Sequence, residues 1–198
     1  MDLKARKKLD QFNIKYLFHM THIDNLESIL SHGLYSHNNQ YQKIDISDNQ
    51  VNARRQKAEP IYHKSIHAYV PFYFNPKNNM LSRRRNIQDS IVILVLNREL
   101  MLKPNSVFSD GNASSDATRF YSNFEDLDKI NFTCVQTKGY YNSFEDGGRK
   151  RMAEVLVPHH VNAQYIKGII CNNPMTKSKI DAITKGDYPS LIRTSYYF

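Results

Sequence analysis

The 198-residue chain reads as an α+β protein with a mixed or antiparallel sheet, and three features of the sequence carry that reading. Short β-rich runs outnumber helical ones, the helical stretches are brief, and there is neither a βαβ rhythm nor a glycine-rich phosphate loop. With 40% apolar residues the chain has enough material for a buried core, and nothing in its composition marks a second unit, so residues 1–198 are expected to form one domain. Lys plus Arg exceed Asp plus Glu by 27 to 19, a net charge of +8, which favours a polyanionic partner such as nucleic acid. Cys134 and Cys171 lie in no CxxC pair or secretory framework and are expected to be reduced. The charged N-terminus lacks a following apolar segment, and the longest apolar run is too short for a bilayer. A cytoplasmic protein with no membrane contact is therefore expected.

The elements follow in order. Residues 1–13 are basic and polar, a helical or loose lead-in. Residues 14–22 read as a strand that ends in His19 and Thr21, two apart and facing the same way. Asp24-Asn-Leu-Glu27 resembles a capping box opening a helix with Leu26, Ile29 and Leu30 on one face and Gly33 as its stop. This strand-to-helix junction brings polar side chains and free helix N–H groups together, a place for a phosphate or a carboxamide. Residues 36–43 are loop-like. Residues 48–55 suggest a short helix capped by Asp48 and ending in Arg54 and Arg55. Cations at a helix end are ordinary, but the guanidinium fork also suits phosphate or a base edge.

Tyr69–Pro76 is a strand in which Pro71 favours an edge or a bulge. His63 and His67 have an H-x3-H spacing with no third ligand nearby, and no metal is expected. Met80–Arg85 ends in three arginines, and Ile91–Leu96 is the best candidate for a buried strand. Ser109-Asp-Gly-Asn112 signals a turn, residues 124–129 a short helix and residues 130–136 a strand. The stretch 137–148, with Tyr140 and Tyr141, reads as a loop carrying exposed aromatic rings. A strand at residues 165–171, a helix opened by Asn173-Pro174 and a closing strand at residues 192–197 complete the chain.

Within this frame Arg149-Lys-Arg-Met-Ala-Glu154-Val-Leu-Val157 stands out. Strand alternation sets Met152, Glu154 and Leu156 on one face and Ala153, Val155 and Val157 on the other. A carboxylate inside an apolar strand faces water on an edge, or else needs a partner or a task.

Four segments in order, Phe18-His-Met-Thr-His-Ile-Asp-Asn-Leu26 with Gly33-Leu34, Val70-Pro-Phe-Tyr73-Phe-Asn-Pro76 with Met80-Leu81, Ser109-Asp-Gly-Asn-Ala113, and Arg151-Met-Ala-Glu154-Val-Leu-Val157, resemble the DarT family of DNA ADP-ribosyltransferase toxins. The resemblance spans residues 16–198. It implies an ADP-ribosyltransferase-like fold, two packed β-sheets flanked by short helices around an NAD cleft, with NAD as co-substrate and no metal. The family transfers ADP-ribose from NAD to a base of single-stranded DNA, and thymine and guanine both remain open as acceptors. By position, Glu154 resembles the catalytic acid and Arg55 the catalytic arginine. His19, Met20, Thr21, Ser28, Tyr35, Arg55 and Tyr73 fall at NAD-contacting positions. Met80, Arg83, Arg119, Tyr140 and Lys150 are the expected DNA contacts. The role of Arg55 stays open between positioning the base, binding phosphate and assisting proton removal. A macrodomain-type antitoxin is the implied partner. Transfer to RNA or protein, and a catalytically silent nucleic-acid-binding module, are the competing readings.

Overall fold

In the computed structural model, which describes residues 3–37, 39–47 and 49–198, the strands are β1 (Tyr16–His22), β2 (Leu34–Tyr35), β3 (Tyr69–Tyr73), β4 (Ile91–Asn97), β5 (Val107–Ser109), β6 (Phe120–Tyr121), β7 (Glu154–Pro158), β8 (His160–Val161), β9 (Ile166–Cys171) and β10 (Ser190–Ile192). The α-helices are α1 (Leu3–Gln11), α2 (Leu26–His32), α3 (Asn49–Arg54), α4 (Asn79–Ser82), α5 (Phe132–Gln136), α6 (Gly147–Lys150) and α7 (Pro174–Thr184). Eight strands form one sheet in the order β10-β9-β4-β1-β3-β7-β5-β6, and β2 pairs with β8 in a small ribbon. Only the β9–β10 pairing is parallel among the described strands, so the large sheet is mixed.

The sheet has two arms. β1 pairs with β4 along its whole length, from Tyr16↔Asn97 to His22↔Ile91. Its junction with β3, by contrast, is the single pair Phe18↔Tyr73. The strands separate beyond that pair, which opens the sheet where the expected cleft lies. The two-sheet arrangement is thus realised as two arms meeting at one point.

Alternation along β4 explains the packing. Val92, Leu94 and Leu96 join Leu17, Phe72, Val155 and Val157 in the main core, which Leu9 of α1, Leu26 and Ile29 of α2 and Ile180 of α7 cover. Ile91 and Ile93 face the other way, with Phe18, Met20, Tyr73, Leu81 and Met152. Gly33 ends α2 at φ 86°, and a Cβ there would lie 2.5 Å from the carbonyl oxygen of Val161 in β8. Only glycine combines that backbone angle with so close an approach.

Several elements differ from their sequence expectation. β3 is internal despite Pro71. Its even-numbered residues bond towards β7, as the bonds of Ala68 and Phe74 show, so the N–H that Pro71 lacks lies on the side where β1 has moved away. Residues 132–136 form helix α5 rather than a strand, because the Asn131 side chain accepts from the Cys134 N–H and caps a first turn. The closing strand is Ser190–Ile192, and residues 194–196 form a 3-10 turn. The Asp24–Glu27 capping box is absent: a 3-10 turn over Ile23–Asn25 precedes α2, and His22 Nδ1 accepts from the Asp24 N–H. The cap expected at Asp48 lies outside the described residues.

Candidate active site

Three interactions place Glu154. In the β3–β7 ladder it stands directly opposite Tyr73, so both side chains share a face. Ser109 Oγ donates to the Gly111 carbonyl and accepts from the Glu154 N–H at 3.3 Å, tying the strand start to the 109–113 turn. The carboxylate is fully buried and has three donors: Arg55 Nη1 at 3.2 Å, Arg55 Nη2 at 3.1 Å and the Ala113 N–H at 2.8 Å. This two-pronged pairing answers what a carboxylate is doing in an apolar strand: it has a matched partner.

Arg55 follows the last residue of α3. Burial opposes its charge, but Glu154 beside it more than compensates and holds the guanidinium above its ordinary pKa. Burial, reinforced by the Glu154 charge, pushes the Tyr73 hydroxyl well above the usual phenol range. Both groups keep their protons at neutral pH.

His19 lies at the opening between β1 and β3. Its Nδ1 donates to the Pro71 carbonyl at 2.9 Å, and burial lowers its pKa, only partly offset by that bond. The ring is neutral at pH 7, and because a carbonyl oxygen only accepts, Nε2 carries the free lone pair. Thr21 is committed to Asn25, whose Nδ2 donates to Thr21 Oγ1 at 3.0 Å and to the Ile44 carbonyl at 2.7 Å. Asn25 Oδ1 accepts from the N–H groups of Lys43 and Ile44 at 2.8 and 2.9 Å. Arg84 adds bonds to the carbonyls of Ile46 and Ser47. Together these two side chains hold the polar 39–47 segment over the β1–α2 junction. Asn25 reads in the sequence as part of a cap; only its burial shows that it is a clasp.

These groups surround one cavity of about 510 Å³. His19, Met20, Thr21, Tyr35, Arg55, Tyr73, Met80 and Arg83 all line it. Glu154 does not, because Arg55 stands between the carboxylate and the open space. Ser28, Arg119, Tyr140 and Lys150 lie outside the lining. Tyr140 is exposed, whereas Tyr141, also expected to be exposed, is buried and donates its hydroxyl to Asn79 Oδ1 at 2.6 Å. The cationic run before Glu154 is turned inward: Arg149 pairs with Asp110 and Asp146, and Lys150 donates to the Glu145 carbonyl. Arg151 is buried against the carbonyls of Lys77, Cys134, Val135 and Thr137, and that desolvation lowers its pKa. Among the described residues no three His, Cys, Asp or Glu side chains are grouped to hold a metal ion. No helix among them is long and apolar enough to cross a membrane.

The arrangement can do specific chemistry. A fixed carboxylate beside a cavity stabilises positive charge developing on a bound group, and a neutral imidazole with a free lone pair accepts from a hydroxyl.

Residues 18–198 match the family model described as "ssDNA thymidine ADP-ribosyltransferase, DarT". A DNA ADP-ribosyl transferase–DNA ADP-ribosyl glycohydrolase fusion protein of Thermosipho africanus is 29% identical over 190 residues, 92% of this chain and 49% of that relative. The chain therefore spans about half the length of this relative. A DNA ADP-ribosyl transferase of Escherichia coli O127:H6 is 27% identical over 83% of this chain and 84% of its own length. Among solved structures, Thermus sp. 2.9 DarT in complex with ADP-ribosylated single-stranded DNA superposes with a TM-score of 0.85 at 25% identity, over 94% of this chain and 97% of that one. The same Thermus protein in complex with NAD+ gives a TM-score of 0.81 at 25% identity, over 93% of this chain and 98% of that one.

Proposed function

The chain belongs to the DarT family, and from that premise we propose that it is an NAD-dependent DNA ADP-ribosyltransferase that modifies thymidine in single-stranded DNA and releases nicotinamide. The observation that carries this reading is the meeting of His19, Tyr73 and Arg55 on the wall of one cavity, with the buried Glu154 paired to Arg55 behind it. The family's description and the Thermus complexes with NAD+ and with ADP-ribosylated DNA support the choice of both substrates.

His19, Met20, Thr21 and Tyr35 line the region that receives NAD, and His19 Nε2 accepts from a ribose hydroxyl. Tyr73 presents its ring to the nicotinamide. As the nicotinamide–ribose bond breaks, positive charge grows on the ribose, and the Glu154 carboxylate stabilises it where it appears. Arg55 gives up part of its hold on Glu154 when the substrates enter and turns its fork to the acceptor base or a flanking phosphate. Met80 and Arg83 sit on the cavity wall where a DNA strand would pass; Arg119, Tyr140 and Lys150 would meet DNA only outside that wall, and Ser28 lies on α2 outside the lining. Taking a base from a single strand avoids the energy of extruding it from a duplex. The enzyme acts in the cytoplasm, as the toxin of a pair whose antitoxin is a macrodomain-type glycohydrolase. The Thermosipho fusion, which joins both named activities in one chain, supports that pairing.

The test is mass spectrometry of short DNA and RNA oligonucleotides of varied base content, incubated with NAD and either the wild-type protein or Glu154→Gln. A gain of one ADP-ribose on thymidine-containing DNA, absent with the variant, is expected. Modification of RNA alone would replace the DNA reading, and NAD left untouched would replace the enzyme reading with that of a binding module.

A further inference from the structure

Arg55 follows a helix too short to hold itself in place. α3 has six residues, and helices below about 12 residues are marginal without tertiary contacts. The backbone of Arg55 is therefore set by its neighbours. Its N–H donates to the carbonyls of Val51 and Asn52 at 3.2 and 3.0 Å, and its carbonyl accepts from the His67 N–H at 3.2 Å and from Ser65 Oγ at 3.4 Å. Three residues earlier, on the same side of the turn, the Asn52 amide bonds in two directions. Its Nδ2 donates to His37 Nε2 at 3.2 Å, and its Oδ1 accepts from His67 Nε2 at 3.0 Å. An amide NH2 only donates and an amide oxygen only accepts, so the bridge requires the proton on Nε2 of His67 and on Nδ1 of His37. The two rings lie 4.3 Å apart.

The histidines are anchored posts. Ser36, beside His37, donates its N–H to the His159 carbonyl at 2.9 Å, and the His159 N–H donates to the carbonyl of Ala68, beside His67, at 2.8 Å. His159 joins β7 to β8, so both posts hang from the far end of the strand that begins at Glu154. β3, which starts two residues after His67, runs on to Tyr73 opposite Glu154. The Asn52 amide thus ties α3 to the same frame that sets Glu154, and it does so without using the Arg55 side chain.

That independence matters for the proposed reaction. At rest the Arg55 fork is pinned by the Glu154 carboxylate. Once the fork turns to the acceptor base or a flanking phosphate, the pair no longer fixes it, and the place of the Arg55 backbone decides where the guanidinium can reach. We propose that Asn52 and His67 are positioning residues for the transfer step: the bridge between them, backed by His37, holds the end of α3 so that Arg55 meets the acceptor in one place. A displacement of about 1 Å in such a group costs on the order of a hundredfold in rate. All three side chains border the cavity, so a direct hold on NAD is the alternative role, and that role would show in the KM for NAD.

This inference rests on the DNA-modifying reading. Transfer to a thymidine oligonucleotide at saturating DNA is measured for wild type, Asn52→Leu, His67→Leu, His67→Gln and the double leucine variant, with folding of each checked by thermal denaturation. Leu is close to Asn in size and makes no hydrogen bond, whereas Gln sets an amide donor where His67 Nε2 stood. In both single leucine variants kcat is expected to fall about tenfold to a hundredfold, with a change of less than about threefold in the KM for NAD. His67→Gln should recover most of the lost activity. The double variant should be no slower than the slower single one, because the same bridge is lost once. If Asn52→Leu does not fold, the two His67 variants carry the test. Wild-type kcat in the leucine variants, a rise in KM as large as the loss in kcat, equal losses in His67→Gln and His67→Leu, or full additivity in the double variant would each overturn the assignment while leaving the functional reading in place. A wild-type protein that modifies no oligonucleotide would overturn that reading, and the positioning role with it.

Discussion

At the scale of single residues, the Glu154–Arg55 pair governs both stability and reactivity. Glu154 is fully buried and the Arg55 side chain is 12% exposed, so either charge without the other would be left poorly solvated. Breaking such a pair from one side typically costs about 3 to 5 kcal/mol, whereas replacing both members with neutral groups of similar size costs much less. Arg55→Met should therefore destabilise the protein by about 3 kcal/mol in chemical denaturation, at the lower end because of its partial exposure. The double variant Arg55→Met/Glu154→Gln should be more stable than the sum of its single variants implies. Strict additivity would mean that the two groups do not interact. All three variants should be inactive, since both residues belong to the proposed chemistry. Glu59 offers the cleaner pH signal. Its buried carboxylate accepts from the N–H groups of Ile61, Tyr62 and Lys64 and from the Tyr69 hydroxyl. Burial acts to raise its pKa, but those donors outweigh burial and hold it below the ordinary value of 4.5. A carboxylate with a lowered folded pKa adds stability at pH values above 4.5, and that stability is lost as pH falls through the folded pKa. Glu59→Gln should thus be less stable than wild type at pH 7 by about 1 to 3 kcal/mol, and the gap should narrow as pH falls below 4.5 and close below the folded pKa. A gap that stays constant with pH would show that ionisation of Glu59 does not contribute.

Among the elements, the segment held over the cavity matters most for function. Asn25 makes four hydrogen bonds from a fully interior position, two of them to consecutive N–H groups of the 43–44 backbone. Asn25→Ala leaves those donors without their acceptor and should cost about 1 to 3 kcal/mol. Because the segment forms one wall of the proposed NAD region, the KM for NAD should rise at least tenfold while kcat changes less; an unchanged KM would separate the segment from NAD binding. This clasp also shows where reading the sequence reaches its limit. β1, β4 and α7 were legible because their apolar periodicity, or a proline at the helix start, is local information. The face that Glu154 shares with Met152 and Leu156 followed from simple alternation. Asn25, by contrast, sits in a stretch that fits a helix cap, and its real partners lie 18 and 19 residues away. Pro71 misleads for a related reason: the edge it needs is made inside the sheet, by the parting of β1 and β3, and no local pattern announces that. The 132–136 stretch has β-branched and aromatic residues that suit a strand, but Asn131 caps it as a helix. His67 was visible only as half of the H-x3-H spacing with His63, because its partners Asn52 and His37 come from elsewhere in the chain.

Over the whole molecule, the question is where the surplus of eight positive charges acts. The run Arg149-Lys-Arg151 is the densest cationic stretch beside Glu154, yet its arginines face acids and carbonyls of the protein itself. On the face formed by α1, Lys4 and Lys8 meet Glu125 and Asp128. Lys177 of α7 meets Asp181. The cavity lining carries five arginines, at 54, 55, 83, 84 and 149, against two aspartates, Asp45 and Asp146; Arg149 pairs with Asp146 and Arg55 with the buried Glu154, and an excess of positive charge is left on the lining. A cleft whose lining carries an excess of one sign of charge concentrates a polyanion at its mouth, so the positive field that matters is local to the cavity. DNA affinity should then fall linearly with the logarithm of salt concentration, losing about 0.7 of slope for each phosphate contact removed from a single strand. Fluorescence anisotropy of a labelled oligonucleotide across a salt series reads that slope directly. Arg83→Ala should weaken binding and flatten the slope by about 0.7. Lys177→Ala, which removes an equal charge from outside the lining, should leave the slope unchanged. Equal effects from the two substitutions would show that DNA responds to net charge alone and that the arginines of the cavity do not form its path.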